Sequence, residues 1–341
     1  MKKCRDSVKY CNIGGQAVME GVMMKGKSSM ATAVRCPDGH IDLETKSIKP
    51  SPAMQKIYKI PVLRGSVNLV ATMVEGVKVL LHSAELSGDE STQEEYEPSK
   101  FERWLSEKLH VKVMDVVAVV SVTLSLVLFV ALFILLPSFL AGLLPGGMNH
   151  YLRALCEGLI RIAIFLGYMV SVSFMKEIRR VFMYHGAEHK TIACYEHQLP
   201  LTPENAAKQS RLHPRCGTAF MLIVMIISVL VYGLFPFQIW WQKLLIRLVM
   251  LPIIAGISYE VLKLLAKSEN PIVRALRAPG LALQRLTTKE PTEDMLEVAI
   301  ASFQEVLYME GIEQRPAEPE QSGLEETDEH DACTEDQAVE Q

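Results

Sequence analysis

Three residues in the stretch YHGAEHKTIACYE (184–196) have the types and spacing of a metal centre: His185, Glu188 and His189. On a helix, positions i, i+3 and i+4 share one face, so the three side chains project together. Two neutral imidazoles one turn apart suit Zn²⁺, and a carboxylate between them can act as general base towards water. The order H-x-x-E-H is the inverse of the H-E-x-x-H motif and occurs in one class of metallopeptidases. Gly186 lies inside the pattern and weakens a helix by about 1 kcal/mol. Further ligands stand downstream in RLHPRCGTAF, where His213 and Cys216 have H-x-x-C spacing. Between the two clusters, Thr202, Pro203 and Glu204 read as an N-cap, a first-turn proline and an acid opening a short helix. If His185, His189, His213 and Cys216 all bind, the shell is closed and structural; if one is free, the centre is open and catalytic. Glu196 and Glu20 are the other carboxylates considered for chemistry there. A lone histidine beside a membrane is ordinarily solvated, whereas four ligand-type residues within 32 positions favour a divalent metal, zinc above others.

The elements that must position these residues are largely apolar. Residues 114–136 (MDVVAVVSVTLSLVLFVALFILL) carry one charge, Asp115, and are long enough to cross a bilayer. Spans near 157–176, 218–236 and 244–264 reach that length by including Arg161 and Arg247, whose long side chains can snorkel. Residues 1–112 hold 17 Lys and Arg and residues 176–217 hold seven, whereas 137–158 hold only Arg153. The positive-inside rule therefore places both termini and the 176–217 loop in the cytoplasm, with the chain threaded four times through the cell membrane. The basic opening lacks an apolar core and does not read as a signal peptide. Seven cysteines at irregular spacing, with no C-x-x-C pair, argue against a disulfide framework.

The expected fold is a mainly α membrane protein with about four transmembrane helices and a small α+β N-terminal cytosolic region. In residues 1–112, Pro37-Asp38-Gly39 signals a β-hairpin. Apolar residues at 67, 69, 70, 73, 74, 77, 80 and 81 signal an amphipathic helix, packed on the hairpin in preference to lying on the membrane. Residues 86–100 read as a loose linker. The transmembrane domain covers 113–267. Residues 268–309 begin as a basic connection broken by prolines and end in an amphipathic helix capped by Thr292. Residues 310–341 carry twelve acids against Arg315, which predicts a disordered tail. Cys36 and His40 have ligand-like spacing, but the turn between them explains it better. Glu260, at the end of a span, is either paired, with Arg247 or Lys263, or part of a functional pocket. No interleaving of basic and aromatic residues points to nucleic acid; the partner indicated is the lipid bilayer.

With these residues assembled, the chain resembles the YqhQ family of bacterial multi-pass membrane proteins. The resemblance covers about residues 12–308 and rests on GGQAVMEGVMMKG, YHGAEHKTIACYE, LTPEN, HPRCGT, GISYE and PGLALQRLTTKEP. The family pattern matches at Gly15, Glu20, Gly21, His185, Glu188, His189, His213, Cys216 and Glu260; it does not ask for Cys36, His40 or Cys194. It implies a metal-dependent enzyme and no particular reaction. The leading expectation is a membrane-bound hydrolase with its site at the cytosolic face. The alternative is a scaffold, assembly factor or transporter whose His/Cys cluster is a structural knot.

Overall fold

The computed structural model describes residues 12–49, 52–88, 113–145, 147–235, 240–267 and 270–315. The acidic tail from 316, the linker beyond 88 and the first eleven residues lie outside the described residues, as does the side chain of Asp115.

Four short strands open the chain: β1 Gly14–Val18, β2 Gly21–Lys25, β3 Ser29–Arg35 and β4 Ile41–Ser47, paired in sequence order as an antiparallel meander. The hairpin expected at Pro37-Asp38-Gly39 joins β3 to β4, closed by Cys36 N–H donating to the His40 carbonyl. Side chains alternate across the sheet. Val22, Met24, Ala31 and Ala33 enter one core, and Met23 and Met30 the opposite one.

Helices cover both faces. After the short α1 (Pro52–Ile57), α2 (Leu63–Leu86) lies over the Met23 face. The other face is covered by α6 (Lys176–Glu196) and the last helix, α11 (Glu293–Met309). Sequence distance is no barrier here: Ser302 Oγ donates to the Ala31 carbonyl at 2.9 Å, and the Glu310 carboxylate accepts from Ser28 N and Ser29 Oγ, both at 2.7 Å. Residues near the two ends of the described chain therefore share one core. Thr292 occupies the N-cap of α11 but makes no side-chain cap bond.

The apolar helices extend from this base. α3 (Val113–Val130) continues through a π-helical turn at Ala131–Leu135 into α4 (Leu136–Gly142). α5 (His150–Val172), α8 (Gly217–Gly233) and α9 (Trp240–Lys267) complete the group, with the five-residue α7 (Pro203–Ala207) between α6 and α8. Leu63–Leu86, Val120–Gly142, His150–Val172 and Leu245–Leu265 are long and apolar enough to cross a membrane; α8 is apolar but only 17 residues long. At 1.5 Å per residue a 23-residue helix spans about 34 Å, against about 30 Å of hydrocarbon. Val122, Leu124, Leu126, Leu128 and Phe129 are all more than half exposed, the surface of a helix solvated by lipid. The molecule is a mainly α membrane protein with an N-terminal β region.

Two expectations change. The apolar stripe of α2 does not pack on the sheet: Val70, Met73, Val74, Val77 and Leu81 are exposed, while Gly65, Gly76, Val79 and Ser83 form the buried face. Small residues win the contact because they let backbones approach, with Gly65 lying against Gly256 and Tyr259 of α9. Residues 271–287, expected as a broken connection, form a helix, α10 (Pro271–Thr287). Pro271 sits in its first turn, where no N–H is needed, and Asn270 caps it by accepting from Ile272 N–H at 3.0 Å.

A candidate metal centre beside the spans

Three residues separate α6 from the end of α5, and its second half is buried from Gly186 to Cys194. The H-x-x-E-H register holds as read from the spacing, and the glycine within it has a packing reason. A Cβ on Gly186 would stand 2.1 Å from the Lys289 carbonyl oxygen, so α6 touches the backbone that follows α10.

That segment brings one carbonyl to the imidazoles, and the loop before α8 brings another. His185 Nδ1 lies 2.8 Å from the Thr287 carbonyl, and His189 Nδ1 lies 2.6 Å from that of Arg211. A carbonyl only accepts, so both Nδ1 atoms carry the proton and both Nε2 lone pairs are free to act as ligands. His185 Nε2 is 3.2 Å from Cys216 Sγ. His189 Nε2 is buried, and among the described residues it has the Cys216 thiol beside it and no other hydrogen-bond partner. One donor atom from each of His185, His189 and Cys216 lies within 4.8 Å of the others. Ligand atoms of a tetrahedral N/S site stand about 3.5 Å apart, so this donor set fits a divalent metal of the zinc type. Cys216 comes into place as the N-cap of α8, its sulfur accepting from Thr218 N–H at 3.4 Å.

His213 is close but turned aside. Its ring centroid is 5.7 Å from that of His189, yet Nε2 faces Glu196 Oε2 at 3.3 Å, and Glu196 also pairs with Arg215. Gln284 of α10 fixes the His213 backbone, accepting from its N–H and donating to its carbonyl, both at 2.8 Å. Thr202 caps α7 as expected, by accepting from Asn205 N–H at 3.4 Å. Lys190 then holds the end of that loop by donating to the Ala207 and Gln209 carbonyls, at 2.8 and 2.9 Å.

Burial governs the electrostatics. Glu188 is 5% exposed, His189 1%, His213 7% and Cys216 8%. Desolvation raises the Glu188 carboxyl above its ordinary range, opposed by His185, His213 and the Gly15 backbone N–H. The same burial lowers His189 and His213, which favours their neutral forms. Glu188 fits only because β1 has glycine opposite it: a Cβ on Gly15 would meet Glu188 Cγ and Cδ and the Met23 carbonyl, each at 2.9 Å. Gly15→Ala is therefore expected to destabilise the protein by about 1–3 kcal/mol. Denaturant unfolding measures this, and a change under about 0.5 kcal/mol would show that Glu188 is free to move.

The remaining candidates lie apart from the three gathered donor atoms. Glu20, at the β1–β2 turn with φ of 48°, takes both guanidinium bonds of Arg180 at 2.5 Å and accepts from Tyr184 Oη at 3.2 Å. It thus ties the sheet to α6 one residue before His185. Glu260 pairs with Arg64 of α2 at 2.5 Å, not with Arg247 or Lys263. Arg161 lines a cavity that does not include Glu260. Cys36, Asp38 and His40 could also group around an ion, but Asp38 and His40 are exposed on the turn. Sequence reasoning missed Gln284, Thr287 and Lys190. The first two stand in LQRLTTKEP and the third in the motif itself, but their roles depend on which backbone groups they meet.

Comparison with known proteins agrees with the earlier resemblance. The family model described as "Protein of unknown function (DUF1385)" matches residues 60–309. "Uncharacterized protein YqhQ" of Bacillus subtilis (strain 168) is 40% identical over 314 residues, 90% of this chain and 95% of the relative. No solved structure matches. With a model covering most of its length and a near full-length relative at that identity, this chain belongs to the DUF1385 family, which includes YqhQ.

Proposed function

We propose that the protein is a metal-dependent hydrolase of the cell membrane, with its centre at the cytosolic face. His185, His189 and Cys216 hold the metal and Glu188 is the general base. The observation that carries this reading is the buried Nε2 of His189, which among the described residues has no partner beyond the gathered donor atoms of His185 and Cys216. A buried polar atom without a partner costs about 1–3 kcal/mol, so a place for a cation explains it where packing does not. Three protein ligands leave one position open, the ligand count of catalytic zinc sites. A divalent cation there supplies Lewis acidity towards water and a carbonyl or phosphoryl oxygen. Glu188 accepts the proton that water gives up, and its place between the two histidines keeps it on their side of α6. The His213–Glu196–Arg215 chain holds the loop that presents Cys216. The orientation rests on the charge asymmetry of the loops.

The burial of His189, Glu188 and Cys216 favours a second reading, a closed structural site. Glu188→Gln distinguishes the two. For the hydrolase, turnover of acyl or phosphoryl ester probes falls about 10²–10⁴-fold while metal stays stoichiometric. Unchanged turnover with metal retained would sink the catalytic role and leave the structural one. The tests use the full chain in detergent, with p-nitrophenyl acetate and p-nitrophenyl phosphate as probes.

A further inference from the structure

The spans carry a second polar cluster at their other end. α8 runs from Cys216, its N-cap, to Gly233, so about 25 Å of helix separates the two groups. There α5, α8 and α9 line a cavity of about 60 Å³, with Arg153, Glu157, Arg161, Tyr232 and Arg247 among its walls. That is room for roughly four waters or one tetrahedral oxyanion.

Its charges do not balance. Among the described residues Glu157 is the one acid lining the cavity, against three arginines. Its Oε1 accepts from Ser138 Oγ at 2.8 Å, from Arg161 Nη2 at 3.1 Å and from Arg247 Nη2. One carboxylate oxygen thus serves two guanidiniums, and Ser138 Oγ accepts from Arg247 Nη1 at 3.1 Å. Among the described residues the Arg161 Nε is buried without a partner, and so is that of Arg153. Arg153 is otherwise held through Nη2 by the Leu144 and Pro145 carbonyls, at 3.5 and 3.3 Å. Close packing keeps the wall rigid: Gly158 of α5 lies against Val229 of α8, where a Cβ would stand 2.3 Å from its side chain.

Unpaired cationic charge inside a span is costly and marks a site for a charged group. Planar guanidiniums with free N–H groups suit a tetrahedral oxyanion, which they bind through parallel hydrogen bonds. We propose that this cavity binds the phosphate group of an anionic ligand, with Arg161, Arg247 and Arg153 as its donors. The site lies away from the metal centre and does not depend on it. Two sources share the chemistry: the headgroup of a lipid entering from the bilayer, and a soluble phosphate entering from the water at the ends of α5 and α8.

Calorimetric titration of the full chain in a neutral detergent tests this with three probes: dioctanoyl phosphatidate, dioctanoylglycerol and inorganic phosphate. The wild type is expected to bind dioctanoyl phosphatidate one to one and to ignore dioctanoylglycerol. In Arg161→Gln the affinity falls at least tenfold. Binding of dioctanoyl phosphatidate alone identifies a lipid headgroup; comparable binding of inorganic phosphate identifies a soluble source. The proposal fails if neither phosphate probe binds, if dioctanoylglycerol binds equally well, or if Arg161→Gln binds like the wild type. An unchanged gel-filtration profile and melting temperature establish that the variant is folded. Should it not fold, Arg161→Lys and Arg153→Gln carry the test by the same criteria.

Discussion

Replacing His189 with alanine is expected to remove stoichiometric metal from the purified protein and to abolish its stabilisation by added metal. His189 is the most deeply buried of the three gathered ligands, and among the described residues its Nε2 has no partner beyond them. Four-ligand structural zinc is worth about 10–16 kcal/mol, so each ligand contributes about 3 kcal/mol, roughly a hundredfold in affinity. Wild type grown with added zinc, manganese or iron should hold about one equivalent by elemental analysis. Because metal binds only the folded state, chelation should lower the melting temperature of the wild type and leave that of His189→Ala unchanged. The variant also loses the Nδ1 bond to the Arg211 carbonyl, so the informative comparison is between the two proteins in chelator. A wild type with no metal after supplemented growth, or a variant that keeps its equivalent, would rule the centre out.

The legible part of this centre was its register. The spacing of His185, Glu188 and His189 places them on one face whatever surrounds them, and the cap by Thr202 was legible in the same way. His213 shows the limit. Its spacing from Cys216 suits a ligand, but its rotamer is set by Glu196, itself held by Arg215, and by Gln284 clamping its backbone. Those are tertiary contacts across 17 and 71 residues that no local pattern carries.

The same distinction runs through the fold. Pro37-Asp38-Gly39 announces its hairpin through turn chemistry, whereas the β1–β2 turn at Met19-Glu20 has no such residue in its loop and was not read. Instead Glu20 adopts positive φ and is held by Arg180 from α6. The stripe on α2 was visible, but a stripe does not name its partner. The stripe faces outward because Gly65, Gly76 and Ser83 on the opposite side allow closer backbone contact. Prolines misled at 271–287 because one stands where a helix tolerates it and the other, Pro279, is accepted within a helix packed on α8.

Gly186→Ala joins these two levels and should be disruptive although it adds a single methyl. Judged on the helix alone, the change stabilises by about 1 kcal/mol, because glycine is the poorer helix former. Tertiary contact reverses the sign. The new Cβ would lie 2.1 Å from the Lys289 carbonyl oxygen, and the obstacle is backbone, which has no rotamer to yield. Lys289 N–H also donates to the Phe182 carbonyl at 2.8 Å, so the segment cannot retreat without breaking that bond. Thr287, whose carbonyl orients His185, lies two residues earlier on the same segment. Pushing the segment away therefore strains the fold and releases the imidazole. Overpacking of this kind costs about 3 kcal/mol, which exceeds the gain in helix propensity. The expected result is a net loss of about 2 kcal/mol in denaturant unfolding, together with weakened metal binding of about 10–100-fold, the effect of losing a partner that orients a ligand. Stability equal to or above wild type would show that helix propensity decides here and that the contact with residue 289 gives way. A loss of stability with unaltered metal affinity would separate the packing of α6 from the orientation of His185.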